Sequence, residues 1–134
     1  MSIKDLSELL ASLQPVLSDQ EFVFITLAYA QYGDAAPLQP IVSVVETEGL
    51  TLVVPRHLAE QHGHAYEGVF RCLTLTVNSD LLAVGLTAAV ATALTQHNIS
   101  ANVVAGFHHD HIFVPAAAAA RALAVLQELS GSDQ

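Results

Sequence analysis

The residues best equipped for chemistry form one run, His108-His109-Asp110-His111. Two imidazoles and a carboxylate can hold a divalent transition metal. Strand geometry works against that use, because neighbouring residues point to opposite faces and only His109 and His111 share one. Histidine and aspartate also suit a tight turn, with Asp110 orienting its neighbours. A buried His109 or His111 would instead be sensitive to pH. The single cysteine, Cys72, lies between Arg71 and Leu73 in a strand-like run and reads as a small packing residue. Glu46 and Glu48 flank a hairpin tip and read as solvated. Tyr29 and Tyr32 suit either a pocket lining or the cover of a sheet edge. No nucleophile elbow, phosphate-binding loop with lysine or His-Glu-x-x-His occurs, so the common catalytic motifs are missing and no cofactor is implied.

Composition narrows the partners. The 134 residues are 52% hydrophobic with a net charge of −9, enough apolar material for a core. Lys4, Arg56, Arg71 and Arg121 are the only cations and are scattered. Nucleic acid and anionic membrane surfaces need clustered cations and are excluded as main partners. The first residues lack the basic and apolar segments of a signal peptide, and no apolar run of membrane-spanning length occurs. A cytoplasmic location is expected.

The elements that must position these residues can be read from periodicity. Leu6, Leu9, Leu10 and Leu13 mark one face of a helix from Ile3 to Gln14, with Ser2 and Asp5 at capping-box spacing. Pro15 ends it. Phe22–Leu27 reads as a strand, and residues 28–40 as a loop. Ile41–Val45 and Leu50–Val54 read as a hairpin, and Pro55 opens a short helix over residues 56–62, closed by Gly63. The second half begins with a strand from Phe70 to Val77, in which Leu73, Leu75 and Val77 alternate with Thr74 and Thr76. A helix over residues 84–97 ends at Asn98. Strands Ile99–Ala105 and His111–Val114 enclose the turn Gly106–Asp110, and Pro115 opens a last helix to Leu129, closed by Gly131.

The halves read as a repeat. Each runs from a strand to a hairpin and then through Val-Pro into a helix, at Val54-Pro55 and Val114-Pro115. Phe22 to Pro55 spans 33 positions and Phe70 to Pro115 spans 45, so the first half lacks about one helix. The halves divide as residues 1–63 and 64–134, with the first degenerate.

The order of strand, loop, Gly85-Leu86, helix, Asn98-Ile99-Ser100-Ala101-Asn102-Val103-Val104 and Ile112-Phe113-Val114 resembles ACT domains of the aspartate-kinase type. The runs Tyr66-Glu67-Gly68, Leu75-Thr76-Val77, Val84-Gly85-Leu86-Thr87-Ala88, Ile99–Gly106 and His109–Pro115 are similar to a group of uncharacterised stand-alone bacterial ACT proteins. The resemblance covers residues 70–129 well and 20–62 more weakly. It implies an α+β fold of tandem ferredoxin-like βαββαβ units, an antiparallel or mixed sheet with helices on one face, and a homodimer. It also implies binding of an amino acid or another small effector, with no catalytic activity.

Carried over, the resemblance places the ligand at Asn78, Ser79 and Asp80 leading to Val84, Gly85, Leu86 and Thr87, with Tyr32, Gly33 and Asp34 at the equivalent place in the first half. A helix N-terminus suits a carboxylate there. The family often has Asp-x-x-Gly, whereas four residues separate Asp80 from Gly85. Asn78, Ser79 and Asp80 would serve equally as a helix-start cap. The reading is a regulatory small-molecule-binding homodimer. The alternatives are an interaction module without ligand and a metal-dependent enzyme built on the histidine run.

Overall fold

The structure is a computed structural model, and it describes residues 5–131. It contains α1 (Leu6–Ala11), β1 (Pro15–Leu27), β2 (Val42–Glu46), β3 (Gly49–Pro55), α2 (Arg56–Gln61), β4 (Phe70–Leu75), α3 (Leu86–Gln96), β5 (Asn102–Ala105), β6 (Asp110–Pro115) and α4 (Ala119–Leu129). The fold is α+β, with antiparallel hairpins and helices. The chain forms two compact units, one of residues 19–70 and the other of residues 1–18 with 71–134.

In the unit of residues 19–70, the strand order is β2-β3-β1. The hairpin β2–β3 pairs Glu46 with Gly49, leaving Thr47-Glu48 as a two-residue turn. β3 then pairs antiparallel with β1 from Phe22 opposite Pro55 to Leu27 opposite Leu50. Side chains alternate across the strands, so Val23, Ile25, Leu50, Leu52 and Val54 share one face. Leu38 and Ala59 pack against them to form this unit's core. Where a second helix would stand, residues 28–41 carry only a 3-10 turn, Ala36–Leu38, containing Pro37.

In the other unit the order is β4-β6-β5, with β5 and β6 antiparallel. The first strand, third strand and second strand therefore follow one another in both units, as the repeat in the sequence implies. Leu73, Leu75, Val77, Ile112 and Val114 face α3 and α4 through Leu86, Val90, Leu94, Ala122 and Leu126. Leu9 and Leu13 complete the same core and are fully buried. The N-terminal helix thus packs with the second half of the chain, whereas the repeat assigns it to the first. Packing and sequence repeat draw different boundaries.

Several element ends differ from their expectations. The first helix is shorter, capped by Asp5, whose Oδ1 accepts from the Glu8 amide at 3.3 Å. Ser2, the expected cap, lies outside the described residues. Gln14 takes φ 42° before Pro15, so the helix is already broken there, and β1 begins at Pro15 rather than Phe22. Thr76 Oγ1 donates to the Gln14 carbonyl at 2.8 Å, and the Cys72 amide donates to Ser18 Oγ at 3.0 Å. Those bonds draw residues 14–18 alongside β4, which local hydrophobicity alone does not reveal. Pro55 and Pro115 stand just before their helices rather than inside them, and the last one opens with a 3-10 turn, Ala116–Ala118. Asn98 has φ 58°, the left-handed conformation expected where α3 stops.

Candidate functional site

Gly85, with φ 104°, stands at the N-cap of α3, and no side chain caps this N-terminus. The first amides of a helix have no partner within it. At Gly85 they open onto a cleft of about 150 Å³ within the unit that contains α3. Ser79, Asp80, Gly85, Leu86, Thr87 and Asp110 are among the residues that line it. Two of its features come from opposite directions along the chain. The β4–α3 loop brings Ser79 and Asp80, and the start of β6 brings Asp110.

Hydrogen bonds fix these groups. Asp80 Oδ1 accepts from the Leu82 amide at 2.8 Å, so Asp80 shapes its own loop as well as the cleft wall. Ser79 Oγ donates to Asp110 Oδ2 at 3.4 Å, joining the loop to β6. The longer spacing between Asp80 and Gly85 accommodates a turn in which the Ala83 amide donates to the Asp80 carbonyl at 3.0 Å. Val84 is exposed and lies outside the cleft lining, as does Asn78. Gly85 has a packing role too. A Cβ there would stand 3.0 Å from Leu6 Cδ2, so α1 closes off that side of the glycine.

The first half places its residues differently. Tyr32 and Gly33 line a separate cleft of about 230 Å³ in their own unit, with Leu50 and Leu52 at its base. Asp34 does not line it. Its Oδ2 accepts from the Gln31 amide at 2.8 Å and stabilises the turn. Tyr29 is fully exposed and does not line this cleft.

The histidine run is divided among three tasks. His109 Nδ1 lies 3.3 Å from the Val77 carbonyl, and His111 Nδ1 lies 3.0 Å from Thr74 Oγ1. Asp110, between them, reaches Ser79 instead of orienting the turn. Each side chain thus tethers the β5–β6 hairpin to β4 or its exit loop. Burial pushes the His111 imidazole below its usual pKa, and the nearby His109 adds to that. Among the described residues no three His, Cys, Asp or Glu side chains stand together as a metal site. Burial also pushes the Cys72 thiol up, which disfavours the nucleophilic thiolate and fits a packing role.

The described cations are engaged elsewhere. Arg71 donates from Nε to the Ser18 carbonyl at 2.9 Å, Arg121 from Nη2 to the His97 carbonyl at 3.3 Å, and Arg56 from Nη1 to Glu21 at 2.8 Å. None of them lines either cleft. Among the described residues no helix is long and apolar enough to cross a membrane.

Comparison with known proteins gives these features a family. Residues 1–71 match one ACT domain family and residues 67–128 match another. A crystal structure of a Vibrio cholerae protein of unknown function, described as a possible transport protein, is 46% identical. It covers 95% of this chain and 97% of its own, with a TM-score of 0.86. The ligand-free regulatory subunit of aspartate kinase from Thermus thermophilus shares the fold at 10% identity, with 88% of this chain and 97% of that one covered and a TM-score of 0.64. An Agrobacterium tumefaciens protein shares it at 15% identity, with 83% and 84% covered and a TM-score of 0.63. None of the functionally curated proteins matches. With ACT domains matched in tandem along its length, the chain belongs to the ACT domain family.

Proposed function

We propose that this protein is a regulatory ligand-binding protein without catalytic activity, and that its ligand is an α-amino acid held in the cleft at the start of α3. One observation carries the reading: the cleft combines an uncapped helix N-terminus with the carboxylates of Asp80 and Asp110. The helix end favours a carboxylate, and the aspartates favour an ammonium group. A zwitterion satisfies both. A small carboxylate lacking an amine would meet two like charges and, among the described residues, no cation lining the cleft, so it is the weaker candidate. Asn78 and Val84 lie outside the lining, while Ser79, Asp80, Gly85, Leu86 and Thr87 face the ligand. The chain would act in the cytoplasm, on a separate protein.

The test is a thermal-shift screen against the L-amino acids and against simple carboxylates. A ligand at 100 times its Kd adds about 2.7 kcal/mol, which moves the midpoint by several degrees. One or more amino acids should shift Tm, and Asp110→Asn should remove most of that shift. Equal shifts from an amino acid and its deaminated analogue would refute the zwitterion reading.

A second reading, self-association, is favoured by strand β2. It lies at the end of the strand order in its unit and exposes Val44 and Val45 at 45% and 77%. Edge strands with uncharged, exposed side chains invite pairing with another chain. A homodimer through β2 would be compatible with ligand binding. Light scattering across a dilution series tests it, and replacing Val45 with Lys should yield a monomer.

A further inference from the structure

We infer that His109 is a positioning residue for the α3 cleft. Through Nδ1–H it holds the backbone at the exit of β4, and with it the loop carrying Ser79 and Asp80, at a set distance from Asp110. This role rests on the reading of the cleft as a ligand site.

The acidic walls of the cleft stand on separate elements. Asp80 belongs to the β4–α3 loop and Asp110 to the start of β6. An ammonium group is attracted by both, and each attraction falls with distance. Affinity therefore depends on how firmly the loop is held to the hairpin. A binding constellation needs supporting contacts that hold it to within about 0.5 Å.

β4 ends at Leu75 and β6 starts at Asp110, so Val77, Ser79 and His109 lie past the strand ends. Two side-chain bonds join the elements there. His109 Nδ1 is 3.3 Å from the Val77 carbonyl, and Ser79 Oγ is 3.4 Å from Asp110 Oδ2. Neither is short, so each alone is weak and the junction depends on the pair. Both ends of the histidine bond are anchored. The His109 carbonyl accepts from the Gly106 amide at 2.9 Å. A Cβ at Gly106 would stand 2.8 Å from that oxygen, so this approach requires glycine. Val77 is buried in the core that also contains Leu86, a residue of the cleft lining.

The neighbouring histidines do not reach this junction. His111 bonds Thr74, inside β4, and His108 is exposed with its ring against Phe107. A carbonyl oxygen only accepts, so His109 carries its proton on Nδ1. Asparagine offers an amide N–H at the same number of bonds from the backbone and can replace that donor, whereas alanine cannot.

The experiment uses the full chain. Imidazole 15N spectra at about pH 8.5, where an ordinary imidazole is neutral, should show His109 protonated on Nδ1. The amides of Leu82 and Ala83, which bond to Asp80 within the loop, should exchange with solvent about ten-fold faster in His109→Ala. His109→Asn should restore slow exchange. The protein L-amino acids, titrated singly, supply the second readout. The tightest of them should bind His109→Ala about ten-fold or more weakly, and should bind His109→Asn and His108→Ala within about three-fold of wild type. Unchanged core methyl resonances show that each variant is folded. The role is overturned by a His109 protonated on Nε2, by unchanged exchange or affinity in folded His109→Ala, or by equal losses in His109→Ala and His109→Asn. The tautomer needs no variant, so it decides even where His109→Ala does not fold. Where no amino acid binds wild type, the amino-acid reading fails, while the tautomer and the exchange rates still decide for or against His109.

Discussion

The two clefts occupy equivalent places in the repeat, after the first strand of each unit, but their chemistry has diverged. After β4 the chain builds a full helix, so the cleft gains uncapped amides and draws Asp80 and Asp110 to its walls. After β1 it builds only a 3-10 turn whose amides are mostly used internally, and the cleft is apolar. Loss of one helix thus changes more than length. It removes the α-helix N-terminus from this cleft and leaves a lining without charged side chains. The same comparison shows where the N-terminal segment belongs: Leu9 and Leu13 finish the core beneath the helical cleft.

That last assignment is the easiest to break. Leu9→Ala should cost about 2–5 kcal/mol, as for any fully buried leucine, and Leu73→Ala should cost a similar amount. Leu6→Ala, at a 38% exposed position on the same helix, should cost much less. Urea unfolding of the three variants measures this. A mild effect for Leu9→Ala would detach α1 from the core around β4.

A pair of glycines sharpens the contrast. Gly33 and Gly85 have φ 96° and 104°, which a β-branched residue adopts only with strain. Gly33→Val should therefore cost about 1–2 kcal/mol from the backbone alone, since a Cβ there meets nothing within 4 Å. Gly85→Val should cost roughly 1 kcal/mol more, because Leu6 stands at 3.0 Å and must shift. Equal unfolding midpoints would mean that α1 does not close over Gly85.

The smallest effect concerns His111. Its pKa is lowered in the folded chain, so the unfolded chain binds more protons in the interval below 6.5. Stability from this group is intact above 6.5 and is lost as pH falls through the lowered folded value. His111→Gln should flatten that part of the stability–pH curve and leave the region above it unchanged. The Thr74 contact survives in the variant if the amide oxygen accepts from Oγ1.

Much of this arrangement is legible in the sequence. The alternation Leu73, Thr74, Leu75, Thr76, Val77 marks the buried face of β4, and Val54-Pro55 and Val114-Pro115 mark equivalent strand ends. Gly85 and Asn98 bracket α3 because backbone conformation at a helix end limits residue type. Long-range partners are harder to read. Nothing local to Ser18 predicts its bond to Cys72, and nothing local to Asp110 predicts Ser79. The repeat aligns Tyr32, Gly33 and Asp34 with the loop after β4, but it cannot tell that Asp34 turns back to Gln31. Side-chain direction within a loop depends on bonds to residues that periodicity does not order.

The central claim is that an α-amino acid binds at the start of α3. Its most direct test is an amide-resonance titration of the full chain with the amino acid giving the largest thermal shift. The account predicts saturating changes at Ser79, Asp80, Gly85, Leu86, Thr87 and Asp110, with the amides from Gln31 to Ile41 unmoved. Saturating changes confined to residues 31–52, or no saturating change anywhere, would contradict it.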